Sequence, residues 1–212
     1  MYKLFSLLFV ALIFSVSASA QWSKGFKTNE LSLSFGYYSN VSIIESMTDI
    51  NVTSLSKSVG YVYTSDDLNT VGSTTFQFLH RNRKWLSVGI ALSYQLATVE
   101  CFEQNRKNEI TDLGKLTIHY VGAMPTLRVN WMIRRNVTLY SKVAAGLTFV
   151  IDKYKDTSGK GDIVEPAKKH YAAFQLSPIG AQFGSKSLVG FIEAGYGNQG
   201  LVQAGAAYKF GY

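Results

Sequence analysis

Cysteine is almost missing from this chain of 212 residues: Cys101 stands alone. No intramolecular disulfide can form, so a covalent staple is excluded as the source of stability. Proline occurs only three times, which suits a chain of strands. Long apolar runs are also scarce. The run from Leu4 to Val16 is the longest, and it is too short to span a bilayer as a helix. No stretch after residue 20 reaches eighteen consecutive apolar residues, so any membrane crossing by the rest of the chain must use strands. There is no GxxxxGK[ST], HExxH, paired CxxC or EF-hand loop. No helix-turn-helix, zinc or RNA-binding signature accompanies the basic charge, so nucleic acid is not expected as a partner.

The N-terminus carries Lys3, then the apolar run, then Ala18-Ser19-Ala20. Charge, apolar stretch and small residues in that order predict a secretory signal peptide over 1–20, cleaved after Ala20. Residues 21–212 then form one domain. The formal net charge is +7, and loss of Lys3 leaves +6. For an exported protein the expected counter-charge is outer-membrane lipid or lipopolysaccharide.

The rest of the chain alternates with period two, the signature of strands. Eight runs are predicted: 30–37, 71–80, 85–100, 115–131, 137–151, 170–183, 187–197 and 200–212. In the last, Val202, Ala204, Ala206, Tyr208, Phe210 and Tyr212 share one face, while Gln203, Gly205, Ala207 and Lys209 share the other. Pro125 and Pro178 interrupt two runs, and a bulge is expected at each because proline cannot donate to the ladder. Long connections at 38–70, 101–114 and 152–169 alternate with short turns. Ser42-Ile-Ile-Glu45 in the first of them reads as a capping box, predicting a short amphipathic helix.

Alternation alone does not separate a soluble barrel from a membrane one. Charge does. The eight runs hold only seven charged residues: Glu30, Glu100, Lys115, Arg128, Lys142, Glu193 and Lys209. A water-facing strand surface would be rich in them. Here the second face is Gly, Ala, Ser, Thr and Gln, which suits the narrow lumen of eight strands. Aromatic residues gather at both ends of the runs, as in interfacial girdles.

With its signal peptide, its eight-strand pattern and the aromatic ending Tyr208-Lys-Phe210-Gly-Tyr212, the mature chain resembles the outer-membrane β-barrel domain family, the small eight-stranded barrels of the OmpA/OmpX type. The resemblance implies an all-β, antiparallel, up-and-down transmembrane barrel in the cell outer membrane. Short turns would face the periplasm and longer loops the exterior. It also implies that Tyr208, Phe210 and Tyr212 form the assembly signal read by the barrel assembly machinery. Members have varied roles, so the resemblance speaks to location more than to activity.

Catalysis would need a nucleophile, a base and an orienting acid at one rim. His80, His119 and His170 fall at different heights; His170 could approach Glu100 and the serines of loop one, but no spacing supports it. Asp152, Asp156, Asp162 and Glu165 could collect a cation, but Lys153, Lys155 and Lys160 interleave with them. No enzyme, cofactor or metal is therefore expected, and the chain reads as a monomer. Lys142 and Glu193 lie at similar depth on the small-residue face. A lone charge in so narrow a lumen would be costly, so the two are expected to pair, with Gln95 and Gln203 completing the network. The functional expectation is a structural or surface-interaction protein. A narrow pore or small-solute-binding barrel is the alternative, and an adhesion or lipid-modifying barrel the second.

Overall fold

The computed structural model describes residues 27–39, 61–64, 69–104, 110–156 and 168–211. The region expected to hold the signal peptide, the capping-box segment and Tyr212 lie outside them. Among the described residues there are nine strands: β1 (Asn29–Tyr37), β2 (Tyr61–Thr64), β3 (Asn69–Arg83), β4 (Leu86–Gln104), β5 (Ile110–Ile133), β6 (Val137–Asp156), β7 (Lys168–Gly184), β8 (Leu188–Gly197) and β9 (Val202–Phe210). Every pairing is antiparallel. The ladder runs β4-β3-β1-β9-β8-β7-β6-β5 and returns through β4–β5, so eight strands close on themselves. β2 is an addition that pairs with the outer end of β4, from Tyr61↔Gln104 to Thr64↔Cys101.

Closure leaves two faces, and the sequence decides which is which. Leu33, Phe35, Phe76, Leu92, Tyr94, Leu127, Val143, Leu147, Ile192 and Tyr208 point outward, each more than two-fifths exposed. Ser32, Ser34, Thr75, Ala91, Ser93, Ala144 and Ala207 point inward and are buried. The fold is a barrel with an apolar outside and a small, polar inside.

Three expectations change in detail. The barrel wall has the eight strands expected, but β2 is a ninth that the alternation did not signal. The long connections are partly strand. The β4–β5 ladder continues to Gln104↔Ile110, and the β5–β6 ladder to Gly114↔Asp156. Charged residues there ended the apolar alternation without ending the hydrogen-bonded ladder, because backbone pairing does not depend on an apolar face.

Pro125 makes no bulge. It lies opposite Ile90, and the β5–β6 ladder skips Met124 and Pro125 but resumes in the same register, from Ala123↔Leu147 to Thr126↔Ala144. Proline costs one donor there and needs no extra residue. The apparent change of phase at this point is chemical. Leu116, Ile118 and Tyr120 face inward above Pro125, and Arg128 and Asn130 face inward below it. Pro178 does sit in a bulge. Registers shift between Tyr140 and Lys142 on one side and between Leu176 and Ile179 on the other, and Ser141 Oγ donates to the Pro178 carbonyl at 2.6 Å.

Candidate functional site

The lumen is the candidate site, and side chains close it at three levels. At the turn end, β1 and β5 bring Glu30 and Arg128 face to face across the interior. Arg128 Nη1 and Nη2 donate to Glu30 Oε1 and Oε2 at 2.6 and 2.8 Å, a bidentate pair. Gln182 Nε2 donates to the same Oε1 at 2.8 Å, and Lys209 Nζ donates to Gln182 Oε1 at 2.8 Å. Lys209 Nζ also lies 3.8 Å from Glu30 Oε2. Two cations thus meet one carboxylate, with an amide bridging them. The recess lined here by Lys27, Glu30, Arg81, Arg128 and Lys209 has no room for a water molecule.

The middle level is built by β6 and β8. Lys142 Nζ lies 2.5 Å from Glu193 Oε2, and Tyr140 OH donates to Glu193 Oε1 at 2.7 Å. Lys142, Glu193 and Tyr140 are 1%, 3% and 0% exposed. The Arg128 guanidinium stands 4.9 Å from the centre of the Tyr140 ring, which joins the two lower levels through a cation–π contact. Gly180 makes the room for that ring. A Cβ at Gly180 would stand 2.6 Å from Tyr140 Cε2 and Cζ.

The third level is the β8–β9 turn itself. Gly197 and Gly200 take positive φ of 143° and 113°, a conformation that glycine adopts without a Cβ penalty, and the turn between them folds into the mouth. Asn198 Nδ2 donates to Thr148 Oγ1 at 3.0 Å, and its Oδ1 accepts from the Phe174 amide at 2.9 Å. Gln175 Oε1 accepts from the Gln199 amide at 2.9 Å, and Gln175 Nε2 donates to the Gly200 carbonyl at 3.1 Å. Asn198 and Gln199 are 5% and 0% exposed.

Of the residues singled out from sequence, the structure brings Lys142 and Glu193 together. Gln95 and Gln203 do not join them. Gln95 Oε1 accepts from Ser39 Oγ at 2.5 Å near the loop-end mouth. Gln203 pairs in register with Glu193, but its amide atoms make no hydrogen bond, because the Glu193 carboxylate reaches toward β6 instead. Tyr140 is the third member of the cluster.

Tyr208 is exposed and stacks on Phe210 at 6.0 Å between ring centres. The histidines stay apart. His80 Nδ1 lies 2.9 Å from Asn29 Oδ1, His119 Nδ1 lies 2.9 Å from Tyr94 OH on the outside, and His170 is exposed at the β7 end. Among the described residues no three His, Cys, Asp or Glu side chains gather as metal ligands do.

Reasoning on depth and face missed the Glu30–Arg128 pair, although both residues stand near the short-turn ends of their runs on the small-residue face. Tyr140 was hidden because an aromatic residue in a strand reads as ordinary β-propensity. The inward fold of Asn198 and Gln199 has no local signal beyond the two flanking glycines.

No protein-family model matches the chain, and no curated protein matches it in sequence. Among solved structures, the chain is similar to the crystal structure of Ail, the attachment invasion locus protein of Yersinia pestis, in complex with the heparin analogue sucrose octasulfate. The identity is 16% and the TM-score 0.35, over 86% of this chain and 99% of that one.

Proposed function

We propose that the mature chain is an outer-membrane β-barrel of a Gram-negative cell that conducts no solute and serves as a structural or surface-contact protein, without catalysis. The observation that carries this reading is the filled lumen. Tyr140, Lys142, Met124, Gln175, Gln182 and Gln203 are each at most 2% exposed, so no continuous water column passes their level. An ion would have to displace paired charges, at a cost of several kcal/mol per broken pair.

The membrane part rests on the outward face. Leu, Val, Ile and Phe side chains cover it where a soluble barrel would carry charge, and bare apolar area on this scale needs lipid or a partner. The expected signal peptide delivers the chain to the envelope. The surface-contact part rests on the shape of the wall. β4 to β7 continue well past the level at which β8, β9 and β1 end. One flank thus stands above the closed mouth.

The test is electrical. Purified full-length mature protein, folded into planar lipid bilayers, is expected to show no stepwise conductance, with the unboiled sample migrating as a compact band on gels. Reproducible single-channel steps from the wild type would replace this reading with the narrow pore.

A further inference from the structure

The two ends of the barrel differ in charge. Among the described residues, the loop end carries five acids, Glu100, Glu103, Asp112, Asp152 and Asp156, and five lysines, Lys115, Lys153, Lys155, Lys168 and Lys169. The turn end is not balanced. Arg83 and Lys84 sit at the β3–β4 turn, Arg134 and Arg135 at the β5–β6 turn, and Lys186 at the β7–β8 turn, all exposed. Lys27, Arg81 and Lys209 stand at the same end, partly buried. Its one described acid is Glu30, which is 5% exposed and taken by Arg128. No described carboxylate at this end is available to the outside.

These cations are not scattered on loose loops. Backbone bonds tie each turn to its neighbours around the rim. The Asn130 amide donates to the Trp85 carbonyl at 2.7 Å, Gly184 to Asn136 at 3.2 Å, Lys209 to Ser187 at 2.7 Å, and Arg81 to Thr28 at 2.6 Å. Just inside the ring of cations, on the outer wall, stand Trp85, Trp131, Phe183, Leu188 and Tyr208, 48% to 61% exposed. Lys27 Nζ lies 5.9 Å from the Tyr208 ring centre. A band of aromatic and aliphatic side chains ending in a collar of fixed cations has the polarity of a lipid leaflet: acyl chains, then interface, then phosphate. Guanidinium groups, which make up most of the exposed part of the collar, pair with phosphate in a two-pronged geometry.

We infer that the turn-end collar binds the phosphate groups of anionic phospholipids in the leaflet on that side, and that it is a lipid-selective surface rather than a general solubilising one. This inference rests on the membrane reading given above. It places the excess basic charge of the chain against the phospholipid leaflet at the turn end, and leaves the loop end, whose described charges balance, with no such preference.

The experiment uses the full-length mature protein reconstituted in phosphatidylcholine bilayers doped with spin-labelled phosphatidylglycerol or spin-labelled phosphatidylcholine. The motionally restricted fraction of each label is measured. The wild type is expected to favour phosphatidylglycerol several-fold. A cation near an anionic surface contributes a factor of roughly five, so Arg83→Gln/Arg134→Gln/Arg135→Gln/Lys186→Gln should bring the preference close to one, as should molar salt. The loop-end variant Lys115→Gln/Lys153→Gln should keep the wild-type value. Equal association of both lipids with the wild type overturns the inference, as does an unchanged preference in the turn-end variant or an equal loss in the loop-end one. A soluble anionic polymer that displaces the labelled lipid and binds the collar more tightly also counts against it. Insertion without preference removes this inference alone. Failure to insert in any bilayer removes the membrane reading as well.

Discussion

Removing one carboxylate from so tight a lumen leaves a buried ammonium without its counter-ion. Glu193→Gln and Lys142→Met should therefore each lower the stability of the folded barrel by about 3–5 kcal/mol, and the double variant should recover part of the loss. Urea unfolding in detergent micelles measures all three, and additive losses would mean that the two charges do not act as a pair. Gly180→Ala should cost about 1–3 kcal/mol by pressing on the Tyr140 ring, which is fully buried and cannot turn away. Gly190→Ala serves as the comparison. It meets Phe183 at 3.0 Å, but that ring is 51% exposed and free to move, so a smaller loss is expected. Equal losses would show that the room around Tyr140 is not the cause. Lys142 and Glu193 could be read from sequence because a strand converts residue number into depth and parity into face. Asn198 and Gln199 could not. Their burial depends on how Gly197 and Gly200 turn the chain against Gln175, a residue on another strand.

At the scale of strands, the expected runs match the barrel wall because each strand there is constrained on both faces, by lipid-type side chains outside and small ones inside. Where that constraint ends, legibility ends too. β4, β5 and β6 outlast their apolar alternation, since beyond the belt only the backbone ladder defines a strand. Pro178 and Pro125 show the same limit. The same residue type gives a bulge in β7 and none in β5, and the difference lies in the neighbouring strand's register, which no local window contains. The last strand carries a prediction of its own. Phe210→Asp, or deletion of Tyr212, should reduce the amount of folded protein recovered from outer membranes several-fold, by the likeness of this ending to the aromatic-terminated strands of small outer-membrane barrels. Quantitative blotting of the compact, unboiled band measures it. Wild-type amounts in both variants would leave the aromatic ending without a part in assembly.

For the whole molecule, the interior is filled unequally. β5 to β8 supply Met124, Arg128, Tyr140, Lys142, Gln175, Gln182, Phe191 and Glu193. The facing β1 and β9 supply Ser32, Ser34, Gly36, Gly205 and Ala207, with Glu30, Gln203 and Lys209 as their larger side chains. This division has a consequence for the order of events in time. The bulky half can lay its side chains inward while the sheet is still open. The terminal strands β1 and β9, which meet at Tyr37↔Val202 through Asn29↔Phe210, can then slide together with few side chains having to interleave, chiefly Glu30, Gln203 and Lys209. Glu30 is the exception on β1, and its partner Arg128 lies across the interior on β5, so that their contact forms only as the cylinder shuts. Glu30 thus works as a latch on the seam. Glu30→Ala should leave the early growth of sheet signal unchanged while slowing appearance of the compact band and hastening its loss on heating. Slower sheet growth with normal closure would reverse that order, and would make the Glu30–Arg128 pair a nucleus in place of a clasp.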